Sequence, residues 1–371
     1  MKAGFGTAEI TPAPPVWLAG FGARTKAAEE VAEPLEARAL YLDDGDTKLC
    51  LIVCDLLGMS HDISRPIREH VASALSLGME HVMIACTHTH HGPSAMAGTD
   101  RLGWPTPDGY IALLRDGCVE SAEHARDNAT DARLRFGRFP LPDGFGFNRR
   151  GSAYDSPTFS ILRLDPGGVV ANIGIHPVLL GPEWYAVSTD WVASFRTELE
   201  CEAGGTAIEL TGALGDINPV PRAGDMGDNS YEPWATLDET VAFGKRLGQA
   251  VIARLDETEP LDGPLRIVRH ETIDAPVGGT GLAALTGEAS MPVEFLEWSV
   301  GDVRVVSLPG EAFHALGREV SRGRNDRALL AGLAPWHGYL PVPWGDGYEE
   351  GVSFGPDFVA AIRNKLLEVP L

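Results

Sequence analysis

Residues 87–94 read THTHHGPS and come directly off the apolar run HVMIAC. On an extended backbone alternate side chains share a face, so His88 and His90 are expected to point the same way. Their separation of about two residues' rise suits convergence on one metal ion or on the water it activates. His176 closes a second apolar run, VVANIGI, just before Pro177, and offers another nitrogen donor at the end of a strand. Glu311 lies in SLPGEAF, where a strand stops at Pro309 and Gly310 and a helix is expected to begin. A carboxylate there either complements the helix dipole or serves as a metal ligand at a strand end. Asp55 ends its own strand in the same way, and Asp216 sits in the turn of GALGDINP. Either could orient a metal histidine through its second ring nitrogen, or act as a helix cap or turn former.

The elements that must position these residues alternate short apolar runs with longer helical patterns, the signature of an α/β chain in which mixed β-sheets are flanked by helices. Strands are expected at Lys48–Cys54, His81–Cys86, Phe159–Leu164, Val169–Ile175, Ala207–Leu210 and Val303–Leu308, and helices at 62–77, 108–126, 190–203, 236–255, 311–322 and 356–367. Loops rich in Gly, Pro and aromatic residues fill 92–107, 140–157, 218–234 and 334–356, and long structured loops tend to carry sites. No stretch reads as a flexible linker, so residues 1–371 are taken as one catalytic domain. GDTKLCLIVCDLLGM places Asp55 nine residues after Asp46, and GDVRVVSLPGEAF places Glu311 nine residues after Asp302. This echo suggests two pseudo-repeated halves around a central metal site.

Composition narrows the class. The chain has 371 residues with 44% hydrophobic content, ample for a core. Acidic residues outnumber basic ones 52 to 30, a net charge of -22 that repels a phosphate backbone, so nucleic acid is not expected as a partner. No segment supplies the 18 or more apolar residues of a membrane span, and no secretory leader precedes the first strand, so a cytoplasmic protein without stable membrane insertion is expected. Five cysteines at unpatterned spacing indicate neither a disulfide framework nor a four-cysteine zinc site. Homo-oligomerisation is left open.

Taken in order, GFGTAEITP, LAGFGAR, PLEARALYL, IVCDLLGM, THTHHGP, FNRRGSAYD, IHP followed by VSTDW, GALGDINP, LPGE and GYLPVPWGDGYEEG resemble the neutral, non-lysosomal ceramidases. The resemblance implies a zinc ion held by His88, His176, Glu311 and Tyr339, with His90 beside the metal water. It also implies a substrate pocket lined by Arg149 and Tyr348. Two departures stand out. Asn218 replaces a serine that the family carries in its GDVSP motif, and the chain is read as a short relative without the family's C-terminal immunoglobulin-like domain.

Zinc with two histidines and a carboxylate lowers the pKa of bound water, so a nucleophile is available without serine. The expectation is therefore a zinc-dependent hydrolase of the carbon–nitrogen bond of a small amide, lactam or N-acyl substrate. In it His90 exchanges protons, Tyr348 or Asn218 donates to the oxyanion, and Arg149 grips an acidic or carbonyl group of the substrate through a forked hydrogen bond. The competing readings are a catalytically silent metal-binding relative and a zinc-dependent esterase. Trp104, Trp184, Trp234, Trp336 and Trp344 fall in or near the site loops and could build an aromatic pocket.

Overall fold

The computed structural model describes residues 1–151, 157–220, 234–278 and 288–370. Most of the loop expected at 218–234, and residues 152–155 of the FNRRGSAYD motif, lie outside the described residues.

The chain runs through one topological unit three times. The first unit comprises β1 (Lys2–Glu9), β2 (Glu36–Asp43), β3 (Lys48–Cys54), α1 (His61–Leu75), β4 (Val82–Cys86) and α2 (Tyr110–Asp127). The second comprises β5 (Arg133–Pro140), β6 (Thr158–Asp165), β7 (Gly168–Ile173), α3 (Val192–Ala203), β8 (Thr206–Thr211) and α4 (Leu237–Ile252). The third comprises β9 (Leu265–Pro276), β10 (Ser290–Val300), β11 (Val303–Ser307), α5 (His314–Arg322), β12 (Ala328–Ala331) and α6 (Pro356–Leu367). In each unit the first three strands pair antiparallel in sequence order, and the fourth, reached through a helix, pairs parallel with the third. The echo between the Asp55 and Glu311 segments is thus extended by a third segment, the one that carries His176.

Local sequence explains the recurrence. The antiparallel connection before each third strand turns on a glycine at positive φ: Gly45 at 98°, Gly167 at 126° and Gly301 at 58°. A side chain at such angles is strained, and each glycine has Asp or Pro beside it, a strong turn signal. Asp44 Oδ1 completes the first turn by accepting the N–H groups of Asp46 and Thr47. Parallel pairing of the third and fourth strands then requires a crossover long enough to hold a helix.

Because side chains alternate along a strand, each sheet has two apolar faces to bury. Leu49, Leu51 and Val53 of β3, Val170 of β7, Ile208 and Leu210 of β8, and Val303 and Val305 of β11 meet in one central cluster shared by the three sheets. Cys50, Ile52 and Cys54 point the other way, into a layer under α1 and α2. The outer faces of the second and third sheets are covered likewise by α3 with α4 and by α5 with α6. Each fully buried Leu or Val contributes about 1.5–3 kcal/mol, so the shared inner face is a main reason the three units stay together. Among the described residues no helix is long and apolar enough to cross a membrane.

Strand β3 and helix α6 fall where expected. The other expected elements shift by up to about three residues, with one consequential difference. Glu311 is not in the first turn of a helix: it opens a two-residue strand, Glu311–Ala312, paired parallel with Tyr339–Leu340, and α5 begins only at His314. The strands β1, β2, β5, β9, β10 and β12 were not foreseen, since several mix apolar with charged residues and show no long apolar run.

Candidate metal centre and active site

The third strand of each unit delivers its following residues to one end of the molecule. After β3 comes Asp55, after β7 comes His176, and after β11 comes Glu311. His88 follows β4, the fourth strand of the first unit, and Tyr339 follows β12, the fourth strand of the third.

The chain at His88 is not extended. His88 has φ +69°, a left-handed conformation uncommon for a side-chain-bearing residue, and the strand has already ended at Cys86. The alternation expected to align His88 with His90 therefore does not apply; a backbone kink brings them together instead. Their ring centroids are 4.9 Å apart, and that of His176 lies 5.0 Å from His88 and 6.1 Å from His90. Donor atoms of the three rings all fall within 4.8 Å of one another.

Backbone carbonyls fix the tautomers. His88 Nδ1 donates to Leu57 O at 2.6 Å, and His176 Nδ1 donates to Ile217 O at 2.9 Å. A ring nitrogen facing a carbonyl must carry the proton, so in each neutral imidazole Nε2 is left as a bare acceptor. Burial keeps His176 neutral by pushing it down to about 4, and pushes His90 well below its ordinary value, assisted by His88 and His176. Glu311 Oε2 lies 3.2 Å from His88 Nε2 and 3.5 Å from His176 Nε2. These Nε2 atoms, both ring nitrogens of His90 and Glu311 Oε2 are buried without hydrogen-bond partners. Acceptors that face one another this closely repel unless a cation lies among them, so the donor set fits a divalent metal ion.

The supporting shell departs from expectation in two places. Neither Asp55 nor Asp216 orients a metal histidine. Asp55 is engaged by Arg196, whose Nη1 and Nη2 donate to its two oxygens at 2.8 and 2.9 Å. Asp216 Oδ1 accepts the His314 N–H at 2.7 Å, capping α5 from a distant loop. Arg149, expected to offer a forked hydrogen bond to substrate, spends four of its five N–H groups within the protein. Its Nε donates to Glu349 at 2.9 Å, Nη1 to Asn218 Oδ1 at 3.3 Å, and Nη2 to Gly215 O at 2.8 Å and to the Tyr339 hydroxyl at 3.1 Å. Burial would lower the Arg149 guanidinium, but Tyr339 and Glu349 outweigh it and the group stays a cation that positions Tyr339 and Asn218. Tyr339 itself stands beside Glu311 in the short parallel ladder. Tyr348 is 53% exposed, with its ring centroid 6.2 Å from that of Tyr339. Asn218 is buried on a three-residue strand, Ile217–Pro219.

Several contributors lie in segments already noted, where the sequence did not reveal their part. Trp336 Nε1 donates to Glu311 Oε1 at 2.9 Å, which holds one carboxylate oxygen and leaves the other facing the histidines. In LAGFGAR, Gly20 lies so close to His90 that a β-carbon would come within 2.5 Å of the imidazole, and Arg24 Nη1 donates to the His90 carbonyl at 2.6 Å. Asp190 of VSTDW accepts the N–H groups of Leu179, Leu180 and Trp191, and Trp191 Nε1 donates to His176 O at 3.1 Å, so this motif locks the loop that carries His176. His91, the third histidine of THTHH, turns away and faces Gly181 O at 3.3 Å.

The motifs now have structural reasons, and comparison with known proteins agrees with them. Residues 1–159 match the family described as neutral/alkaline non-lysosomal ceramidase, N-terminal. The resemblance read from the motifs stands. Across the whole fold the chain is similar to neutral ceramidase from Pseudomonas aeruginosa, with TM-score 0.79 and 17% identity over 99% of this chain and 73% of that one. It is similar as well to a ceramidase complexed with C2, with TM-score 0.78 and 16% identity over 99% of this chain and 74% of the other. No curated protein matches. At such identities the likeness establishes a ceramidase-like fold; the chemistry has to be argued from the site.

Proposed function

We propose that this chain, residues 1–371 acting as one catalytic unit, is a zinc-dependent hydrolase of the carbon–nitrogen bond of a small amide, lactam or N-acyl substrate. The observation that carries the reading is the convergence of bare, buried acceptors: His88 Nε2, His176 Nε2 and Glu311 Oε2. His88, His176, Glu311 and Tyr339 would hold the ion. When bound, zinc supplies Lewis-acid polarisation of the scissile carbonyl and makes water acidic enough to attack near neutral pH.

The chain's own residues do the rest. His90, neutral and with both ring nitrogens unpartnered, accepts a proton from the attacking water and returns one to the leaving amine. Tyr348, a phenol that is protonated at neutral pH, donates to the developing oxyanion. Asn218 serves the same region, with Arg149 holding its carbonyl oxygen. Arg149 fixes the Tyr339 hydroxyl and balances the negative charge of Glu311 and Glu349. Trp336 and the carbonyls of Leu57 and Ile217 set the orientation of three of the ligands.

The cytoplasmic location expected from the sequence belongs to the same proposal. The decisive experiment is metal analysis of purified protein together with hydrolysis of short N-acyl amides. One zinc per chain and turnover are expected, and both should be lost in His88→Ala. Full zinc occupancy in that variant would remove His88 from the ligand set.

A further inference from the structure

His88 and His176 are each oriented by a hydrogen bond from Nδ1 to a backbone carbonyl, but His90 has no such tie: both of its ring nitrogens are buried without a partner. A ring that takes and returns a proton needs its nitrogens free, so its faces and its backbone have to hold it instead. The segment LAGFGAR, residues 18–24, does both. Gly20 lies at φ +102°, where a side chain is strained, and its backbone sits so close to the imidazole that no β-carbon fits. The Phe21 ring packs against the same imidazole, with centroids 4.8 Å apart and planes inclined by 59°.

This segment is also tied to the backbone that carries His90. Leu18 pairs with Pro93 in an isolated bridge, and the Ala19 N–H donates to Gly92 O at 2.9 Å. Arg24 closes the arrangement through a single nitrogen. Its Nη1 donates to His90 O at 2.6 Å and to Ala19 O at 2.9 Å, with Leu18 O at 3.4 Å. Nε and Nη2 are buried without hydrogen-bond partners, and the guanidinium carbon stands 4.9 Å from the centroid of the Phe21 ring. Burial pulls the Arg24 guanidinium down from its ordinary 12.5 to about 9, so it remains a cation at neutral pH. Burying a cation in this way costs stability, and packing alone does not account for it.

We propose that Arg24 is a positioning residue for His90: its Nη1 clamps the histidine's carbonyl to the loop whose Gly20 and Phe21 brace the ring, which leaves both ring nitrogens free to move the proton. The proposal rests on the hydrolase reading above for what His90 does.

The test compares the zinc-loaded parent with Arg24→Met and Arg24→Lys in hydrolysis of short N-acyl amides. It also records the histidine ring signals of each isotope-labelled protein by NMR, with the His90 signal assigned from His90→Gln. Arg24→Met should lower kcat at least about tenfold with KM within about twofold, because geometry is lost and substrate binding is not. The His90 ring signal should shift or broaden, while the His88 and His176 signals and the zinc affinity keep their parental values. Arg24→Lys, which offers three N–H groups from one nitrogen, should bring kcat back to within about fivefold of the parent. Urea midpoints check folding, and Arg24→Gln replaces the Met variant if that one unfolds. Parental kcat with an unmoved His90 signal overturns the proposal, and so does equal disturbance of the His88 and His176 signals. A loss that Arg24→Lys does not relieve overturns it as well, since the need would then lie with the Nε and Nη2 side of the fork. Absence of turnover in the parent overturns the hydrolase reading, and the His90 signal still decides whether Arg24 holds the ring.

Discussion

Asp55 and Glu311 occupy corresponding places, each just beyond the third strand of its unit, and both are buried. Their fates differ through their neighbours. Asp55 receives both terminal nitrogens of Arg196 and the Glu36 N–H, so its negative charge is neutralised inside the protein. Glu311 receives one neutral indole N–H and is left with an oxygen aimed at two bare imidazole nitrogens. A repeated position does not fix a role; the partner supplied by another unit does. An arginine turns the acid into a structural tie, and histidines turn it into a candidate ligand.

Breaking the Asp55 side should have the largest effect. Arg196→Met leaves a fully buried carboxylate without its cation and should cost about 3–5 kcal/mol in urea unfolding. Replacing both partners, Asp55→Leu with Arg196→Met, should recover much of that loss, because a buried pair contributes less than its rupture costs. A single variant within about 1 kcal/mol of the parent would mean that the tie is not needed.

On the Glu311 side the expected change is in metal affinity. Trp336→Phe keeps the ring and removes the N–H, so zinc affinity, read by competition with a chromophoric chelator, should fall about 10- to 100-fold. An unchanged affinity would show that Glu311 needs no fixed oxygen.

The smallest effect concerns pH. Glu209, near Arg196 and Asp55, accepts the Thr211 hydroxyl through Oε2, while burial raises its carboxyl to about 8 from an ordinary 4.5. The protonated form favours folding, so this contribution is complete below the ordinary value and is lost as pH rises through about 8. The parent should therefore lose roughly 1–3 kcal/mol of stability between about pH 5 and 9 that Glu209→Gln does not lose. Parallel urea curves for the two proteins at both pH values would refute it.

The readable part of the molecule was its strong local signals. Lys48–Cys54 is an uninterrupted apolar run and was found to the residue, as was the Pro-initiated helix Pro356–Leu367. Strands such as Leu265–Pro276 stayed hidden because charged residues punctuate them, and their pairing depends on partners far along the chain. His88, His90, His176 and Glu311 were named in advance and do meet, although the reason given for the first two, an extended backbone, yields to a left-handed kink at His88. The intramolecular ties of Arg149 could not be read in advance, because its four acceptors come from distant segments and none is adjacent in sequence.

By itself, then, the sequence determined the residue types that can bind and move charge, and the apolar runs that carry them to strand ends. Local chemistry encodes both, since side-chain identity and short-range periodicity need no knowledge of the rest of the chain. Tertiary structure decided which acid is tied up and which is left bare, how the histidine tautomers are set, and which carboxylate oxygen of Glu311 Trp336 holds. Those outcomes depend on carbonyls and a cation brought in from segments 31 to 141 residues away, and only the packing of three sheets on one core supplies them.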